Sequence, residues 1–565
     1  MINLFSLFRP KFFDLFTGKE PYNRQLFLSD LSAGVIVGIV ALPLAIAFGI
    51  ASGVTPQQGL ITAIVAGFLI SLFGGSHFLI GGPTGAFIVI VYGIVQQYGM
   101  NGLIIATVFA GVMLVVMGLV KLGTIIKYIP YPIIVGFTGG IAVVIFSTQV
   151  SDFFGLGIVN QPADFIPKWG AIFKHLGNIN IWATLMSGCT VFIIFIWPRY
   201  NKKFPGSLFA LVMMTGISLI LTRFAGVQVD TIGTKFPELA GGIPLPKAEA
   251  PVINMVVIRH LFQPAFTIAI LCAIESLLAA MVADGVTGKK HNSNTELIGQ
   301  GIANIITPLF GGIPATGAIA RTMANINNGG KSPVAGLIHA IVLLLVLLFL
   351  MPYVVHIPLS CLAGILVVVA YNMSEWRAFR YLLKGDKTDV AVLLVTFGLT
   401  VVIDLTIAIE LGLVLAVVSF LKRVSDSSSI KAVERELFAY ENEEGIDPDV
   451  LQIPAGVEVY EINGPFFFGL ANKFDDVGYN LPQKRIKIRV IRMRKVPFID
   501  STGLNNLRNF WKRSKAAKIQ LILSGVNEEV RASLERSGFA EELGREFICP
   551  HISVAMAKAE HLLLK

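Results

Sequence analysis

The chain has 565 residues, 54% of them hydrophobic and only 14% charged, with a mean hydropathy of +0.72, which excludes an ordinary soluble protein. The formal charge of +9 would suit a nucleic-acid binder, but no nucleic-acid motif accompanies it, and in membrane proteins Lys and Arg gather in cytoplasmic loops and at headgroups. Cys189, Cys272 and Cys361 lie in apolar runs and Cys549 stands far from them, so the first three read as small buried hydrophobes and no disulfide or metal set is implied.

In chain order, Met1 to Pro21 is basic and aromatic without a small-residue cleavage site, so residues 1–26 are read as a retained segment on the cytoplasmic membrane surface. Between Asp30 and Lys121 there is no Asp, Glu, Lys or Arg, room for several spans of roughly 20 residues. Apolar runs and breaks give about fourteen spans within 27–423, half of them between 28 and 225 and half between 257 and 421. An odd number per half inverts the second set relative to the first. With the N-terminus inside, the inner connections carry Lys121 and Lys127; Arg199, Lys202 and Lys203; Lys289 and Lys290; Lys331; Arg377, Arg380, Lys384 and Lys387; and Lys422 and Arg423. That is the distribution the positive-inside rule asks for, with both ends cytoplasmic.

Two short stretches, one in each half, share their parts. LFGGSHFLIGGPTGA (72–86) and LFGGIPATGAIAR (309–321) each hold a Leu-Phe-Gly-Gly break, a proline and Thr-Gly-Ala before an apolar run. Gly-Gly ends a helix, proline is tolerated where one begins, and the run that follows suits a helix that starts inside the membrane. Such a start points orphan N–H groups and the positive dipole end inward, which favours an anion. Thr84, Gly85 and Ala86 and their counterparts Thr316, Gly317 and Ala318 are therefore candidate ligand residues, in the third span of each set. Arg321, one to two turns further, adds a cation on the ligand side or at a gate, or pairs with Glu275. Glu275, inside LCAIESLLAAMVADG, is costly in a span and reads as the site of a coupling ion or as an ionic or hydrogen-bonded partner. Asp284 reads as a cap or interfacial acid, Lys289-Lys290-His291 as a solvated loop, and Asp404 and Glu410 as interfacial caps.

After Arg423 the composition changes. SDSSSIKAVERE opens a polar linker (424–450), and 451–565 alternates strands at 457–462, 486–492 and 519–524 with helices in GLANKFDDVGYNL, GLNNLRNFWKRS and NEEVRASLERSG. This is a small cytoplasmic α/β domain, with Leu504, Leu507 and Trp511 on one helix face. Asp500-Ser501-Thr502-Gly503 precedes a helix, where a hydroxyl is an ordinary N-cap and a phosphate would also be welcome, so Thr502 and Ser501 are candidate regulatory positions. GxSxG, HExxH and Walker A motifs are absent, and an enzyme is not expected.

LSAGVIVGIVALPLAIAFGIASG, GGPTGAFIVIVYGIV, AIESLLAAMVADGVTGKKHNSNTELIGQGIANI, GGIPATGAIARTMAN and DSTGL together resemble the SulP family of anion transporters with a C-terminal STAS domain. The resemblance implies an α-helical polytopic membrane protein of fourteen spans in a seven-plus-seven inverted repeat with core and gate domains, elevator-like movement, homodimers and a location in the cytoplasmic membrane. It implies a small inorganic or carboxylate anion (sulfate, bicarbonate, chloride or dicarboxylate) at Thr84, Gly85, Ala86, Thr316, Gly317, Ala318 and Arg321, with Glu275 handling the coupling ion. Sodium-coupled bicarbonate members place a hydroxyl one turn after that acid, where this chain has Ala279, which favours H+ over Na+. It also implies Thr502 at a phosphorylated position and a cytoplasmic protein partner for the STAS domain; no cofactor and no nucleic acid are expected. The alternatives are sodium-coupled bicarbonate transport, a nucleobase-type symporter of the same architecture, and a membrane-anchored STAS signalling protein.

Overall fold

The computed structural model describes residues 8–17, 22–124, 130–158, 161–201, 205–237, 255–403, 405–433, 436–438, 450–470 and 486–564. Lys127, Lys202, Lys203, Asp404 and the helix expected in GLANKFDDVGYNL beyond Leu470 lie outside them. Two compact units divide the chain, Met1–Val414 and Leu415–Lys565.

Among the described residues the apolar helices are α1 (Arg24–Ala51), α2 (Pro56–Phe73), α3 (Ile88–Leu119), α4 (Tyr131–Phe154), α5 (Ile181–Ile196), α6 (Gly206–Ala225), α7 (Met255–Thr287), α8 (Ser293–Ile306), α9 (Ile319–Asn327), α10 (Val334–Phe349), α11 (Leu359–Met373), α12 (Lys387–Val402) and α13 (Leu405–Ser427). Side-chain caps mark some of the starts. Asn23 accepts from the Leu26 amide at α1, and Thr55 with Gln58 forms a reciprocal cap before Pro56 at α2. Helix α3 breaks at Gly99, whose φ of 66° and ψ of −172° no helix admits, so it supplies two spans. The chain thus folds as an α-helical polytopic membrane protein of fourteen spans in two inverted sevens. Helices α8 and α9, of 14 and 9 residues, are each shorter than a bilayer of about 30 Å, and one of the two internal breaks lies between them.

Packing sorts the spans into two groups. Helices α1, α2, α3, α7, α8, α9 and α10 pack on one another, as α3 on α8 and α1 on α10, while α4, α5, α6, α11 and α12 form a second group around α4. These are the core and gate domains. Cores of small residues let the backbones close: a Cβ at Gly111 of α3 would meet the Gly301 carbonyl of α8 at 2.7 Å.

Two local expectations are corrected. Cys189 is exposed on α5, whereas Cys272 and Cys361 are buried, because an apolar run in a membrane helix has a lipid-facing side as well as a packed one. His291 is tucked in, its side chain 2% exposed with Nδ1 2.7 Å from Asp284, so the solvated loop is Lys289 and Lys290 alone and Asp284 has a definite partner. The N-terminal segment is pinned as well, Lys11 N donating to Gly74 O at 3.0 Å.

The second unit holds a five-stranded sheet in the order β1 (Ser429–Val433), β4 (Val457–Asn463), β5 (Ile488–Lys495), β6 (Gln520–Ser524), β7 (Ile548–Cys549), antiparallel at β1 and parallel elsewhere; β2 (Glu436–Phe438) pairs with β3 (Val450–Gln452). Alternation sends Tyr460, Ile462, Ile491 and Leu523 to one face, against Leu507 and Phe510 of helix Ser501–Ala516. Val459, Val490 and Ile522 go to the other, against Ala555 and Met556 of helix Ile552–Leu563. The polar stretch read as the start of a linker supplies β1: Ile430 and Val433 reach the two faces, enough for an edge strand although the polar flanks hide it.

Candidate functional site

The two broken stretches meet. Gly81–Gly82 and Thr316–Gly317 form a two-residue antiparallel ladder, Gly81 opposite Gly317 and Gly82 opposite Thr316. The helical turns begin just beyond: a 3₁₀ turn at Gly85–Phe87 leads into α3, and Ala318 caps α9. Thr-Gly-Ala therefore opens a turn in the first copy but ends a strand in the second. Flanking bonds extend the junction, Ala318 N to Ile80 O at 3.0 Å and Ile80 N to the Thr322 hydroxyl at 3.1 Å.

Helix α7 runs beside this junction and supplies its polar groups. The Thr84 hydroxyl donates to Glu275 Oε2 at 2.9 Å. Ser276 Oγ lies 2.6 Å from Thr316 Oγ1 and accepts from the Gly317 amide at 3.1 Å, and Thr316 Oγ1 donates to Cys272 O at 3.1 Å. Asn304 of α8 holds Ala315 from both sides, accepting its N–H at 2.9 Å and donating to its carbonyl at 2.8 Å. Arg321, 2% exposed, donates Nη1 to Gly81 O at 3.2 Å and Nη2 to Pro83 O. Its fork is thus bound to the backbone of the first stretch, with no ion pair to the Glu275 carboxylate among the described residues. Gly82 makes this approach possible, since a Cβ there would stand 2.3 Å from Nη1.

The candidate residues are therefore gathered at one place, but not all in the same way. The amides of Gly317 and Ala318 are spent on Ser276 and Ile80, whereas the first-turn amides that follow, at the exposed Ile319 and Ala320, are those a helix start leaves without internal acceptors. Gly85 faces the gate: a Cβ on it would meet Met373 Sδ at 2.9 Å and Ile145 Cδ1 at 3.0 Å. Glu275 retains partial exposure beside its bond to Thr84. In the second unit Asp500 caps helix Ser501–Ala516 by accepting from Gly503 N at 2.7 Å, and Ser501 and Thr502 are exposed.

Sequence reasoning missed Ser276, Asn304 and Thr322, which tie the junction together, and Glu296, whose carboxylate accepts from Gly75 N and Gln300 Nε2, each at 2.8 Å. The available signal was a polar or acidic residue inside an apolar run, as in AIESLL and IGQGIANII.

The sequence matches the sulfate permease family over residues 27–396 and a STAS domain over 450–555. The chain belongs to the sulfate permease family. It is 42% identical over 537 residues, 95% of this chain and 98% of the relative, to YvdB of Bacillus subtilis (strain 168), whose name provisionally assigns it to sulfate transport. It is 33% identical over 525 residues, 90% of each chain, to the bicarbonate transporter BicA of Synechocystis sp. (strain ATCC 27184 / PCC 6803 / Kazusa). Among solved structures it resembles the transmembrane domain of a cyanobacterial BicA (TM-score 0.60, 32% identity, 70% of this chain and 98% of that one). SLC26A9 shares the fold at 18% identity, with a TM-score of 0.82 over 96% of this chain and 91% of that one. This sulfate permease family member is accordingly a multi-pass membrane protein and an anion transporter, and its relatives are transporters rather than enzymes.

Proposed function

We propose that the protein is a proton-coupled symporter of a small anion of the sulfate, bicarbonate or dicarboxylate class. The observation that supports this most directly is the Thr84–Glu275 hydrogen bond, which joins a carboxylate in a span to the break where helix starts and Arg321 favour an anion. Thr84, Gly85, Ala86, Thr316, Gly317, Ala318 and Arg321 shape the anion site, and Glu275 carries the coupling proton. Moving a cation with the anion offsets the membrane potential, worth about 2.3 kcal/mol per elementary charge per 100 mV. The core moves past the gate in an elevator-like manner, both termini lie in the cytoplasm, and two copies associate. The STAS domain answers to a cytoplasmic partner or to phosphorylation at Thr502 or Ser501.

Sodium-coupled bicarbonate transport is the second reading, favoured by the likeness to BicA and opposed by Ala279, which offers a cation no oxygen from its side chain. Uptake of radiolabelled sulfate and bicarbonate into proteoliposomes, driven separately by a pH gradient and by a sodium gradient, tests both. Accumulation under the pH gradient alone is expected. Accumulation driven only by sodium moves the coupling to Na+, and no uptake of any anion under either gradient leaves a STAS-bearing membrane anchor.

A further inference from the structure

A cavity of about 660 Å³ lies in the first unit at the end of the bundle where α1 finishes, away from the Thr84 junction. On the positive-inside reading this end is the outer face. Its wall includes Lys168, Gln161, Ser360, Asp152, Lys235 and Asp230. None of Thr84, Glu275, Thr316 or Arg321 lines it.

Lys168 is the unusual member. It sits on helix Phe165–His175, on the same face as Ile172, which packs with Val150 and Leu156. A position in that stripe calls for an apolar residue, and a lysine that is only 2% exposed is rarely found without a paired charge. Among the described residues no hydrogen bond or ion pair reaches its ammonium. Asp164, one turn before it, is exposed, and Asp152 is engaged with Lys235 at 3.6 Å. Asp230 is exposed too, so water screens its charge. Two further groups on the same wall lack partners, the buried Gln161 Nε2 and the Ser360 hydroxyl, in a residue 2% exposed. Both are able to donate. Three donors without acceptors, one of them cationic, lining one cavity are what an anion, with its several acceptor oxygens, would satisfy.

We propose that this cavity is a second anion site, in which the Lys168 ammonium, the Gln161 amide and the Ser360 hydroxyl hold a small inorganic anion apart from the one at Arg321. On its own, burial pushes the Lys168 ammonium down to about 8, against the pull of Asp164, which still leaves it mainly protonated at neutral pH. The site serves as a waypoint that concentrates the anion before it passes between core and gate. Binding of an anion there does not depend on the transport reading above, whereas its use as a waypoint does.

The test uses the full-length protein in nanodiscs, titrated calorimetrically with sodium sulfate and with sodium bicarbonate. Two classes of binding are expected. Lys168→Gln should weaken one of them by about tenfold or more and spare the other, Lys168→Arg should keep it within about threefold, and Arg321→Ala should remove the remaining class. Gln161→Leu, which leaves the lysine and the backbone in place, should weaken the Lys168-dependent class about threefold and guards against misfolding of the lysine variant. A Lys168→Gln isotherm that superimposes on that of the unaltered protein, with Gln161→Leu equally silent, overturns the proposal. Lys168-dependent binding in a protein that moves no anion would sink the transport reading and leave this site standing.

Discussion

Thr84 and Glu275, 191 positions apart in sequence, are joined by a hydrogen bond of 2.9 Å from the threonine hydroxyl to the carboxylate. A hydrogen bond to a charged group contributes roughly 1.5–3 kcal/mol, and here it also fixes which way the carboxylate points. Thr84→Val keeps the shape and removes the donor, so uptake is expected to fall by at least about tenfold, with Thr84→Ser retaining most of it. Glu275→Gln goes further: with no proton to gain or lose, pH-driven accumulation should vanish while anion exchange across the membrane persists. Proteoliposome uptake with and without a pH gradient checks both, and unaltered accumulation in Glu275→Gln discards the coupling role.

Gly82 and Arg321 are a matched pair. The glycine holds φ at +145°, outside the range of L side chains, and leaves room for the guanidinium that bridges Gly81 O and Pro83 O. Gly82→Ala should lower thermal stability by about 2 kcal/mol or more and displace Arg321, lowering anion affinity as well. Arg321→Lys keeps the charge but has no planar fork to serve both carbonyls, so it should lose stability and affinity together. Thermal unfolding with and without sulfate separates the two effects. Normal sulfate-induced stabilisation in Arg321→Ala would remove the guanidinium from the site.

What the sequence made legible were features whose physics is local. Gly-Gly and Pro interrupt apolar runs wherever they occur, a lone Glu275 in a span stands out, and the charge distribution between spans counts them. The register between distant stretches was not legible. Nothing local says that Thr316 would lie opposite Gly82 rather than Thr84, or that Ser276 would take the Gly317 amide, because those contacts depend on how α7 crosses the junction. Likewise Ser429–Val433 looks polar in isolation and becomes a strand only because Val457–Asn463 presents an open edge beside it.

Lys168 gives a pH signature that requires no transport assay. Its ordinary value of 10.5 falls to about 8 in the folded protein through burial, so between those values the unfolded chain holds the proton and the folded chain does not. Stability therefore rises as pH increases from about 8 to 10.5, by about 3 kcal/mol when anions are kept scarce. Lys168→Met should be more stable at neutral pH and should lose this part of the slope. Thermal unfolding of both proteins across that range in a buffer low in inorganic anions decides it; parallel curves would mean that the ammonium is solvated or already paired.

The STAS helix depends on Asp500 at both of its oxygens, Oδ1 accepting from Gly503 N at 2.7 Å and Oδ2 from Phe468 N at 3.2 Å. The first bond satisfies an orphan amide of helix Ser501–Ala516, and the second ties that helix start to the chain after Phe466. Asp500→Ala should cost about 1 kcal/mol from the lost cap, and Asp500→Asn, which keeps one oxygen, less. Ser501 and Thr502 are exposed and take no part in this cap, so Thr502→Glu should leave the fold intact and add favourable charge at the positive helix end. Amide hydrogen exchange over residues 501–516 of the full-length protein reads the outcome: faster exchange in Asp500→Ala and unchanged or slower exchange in Thr502→Glu. Faster exchange in Thr502→Glu would mean that negative charge at this position loosens the domain, and phosphorylation there would act by disordering the helix rather than by presenting it.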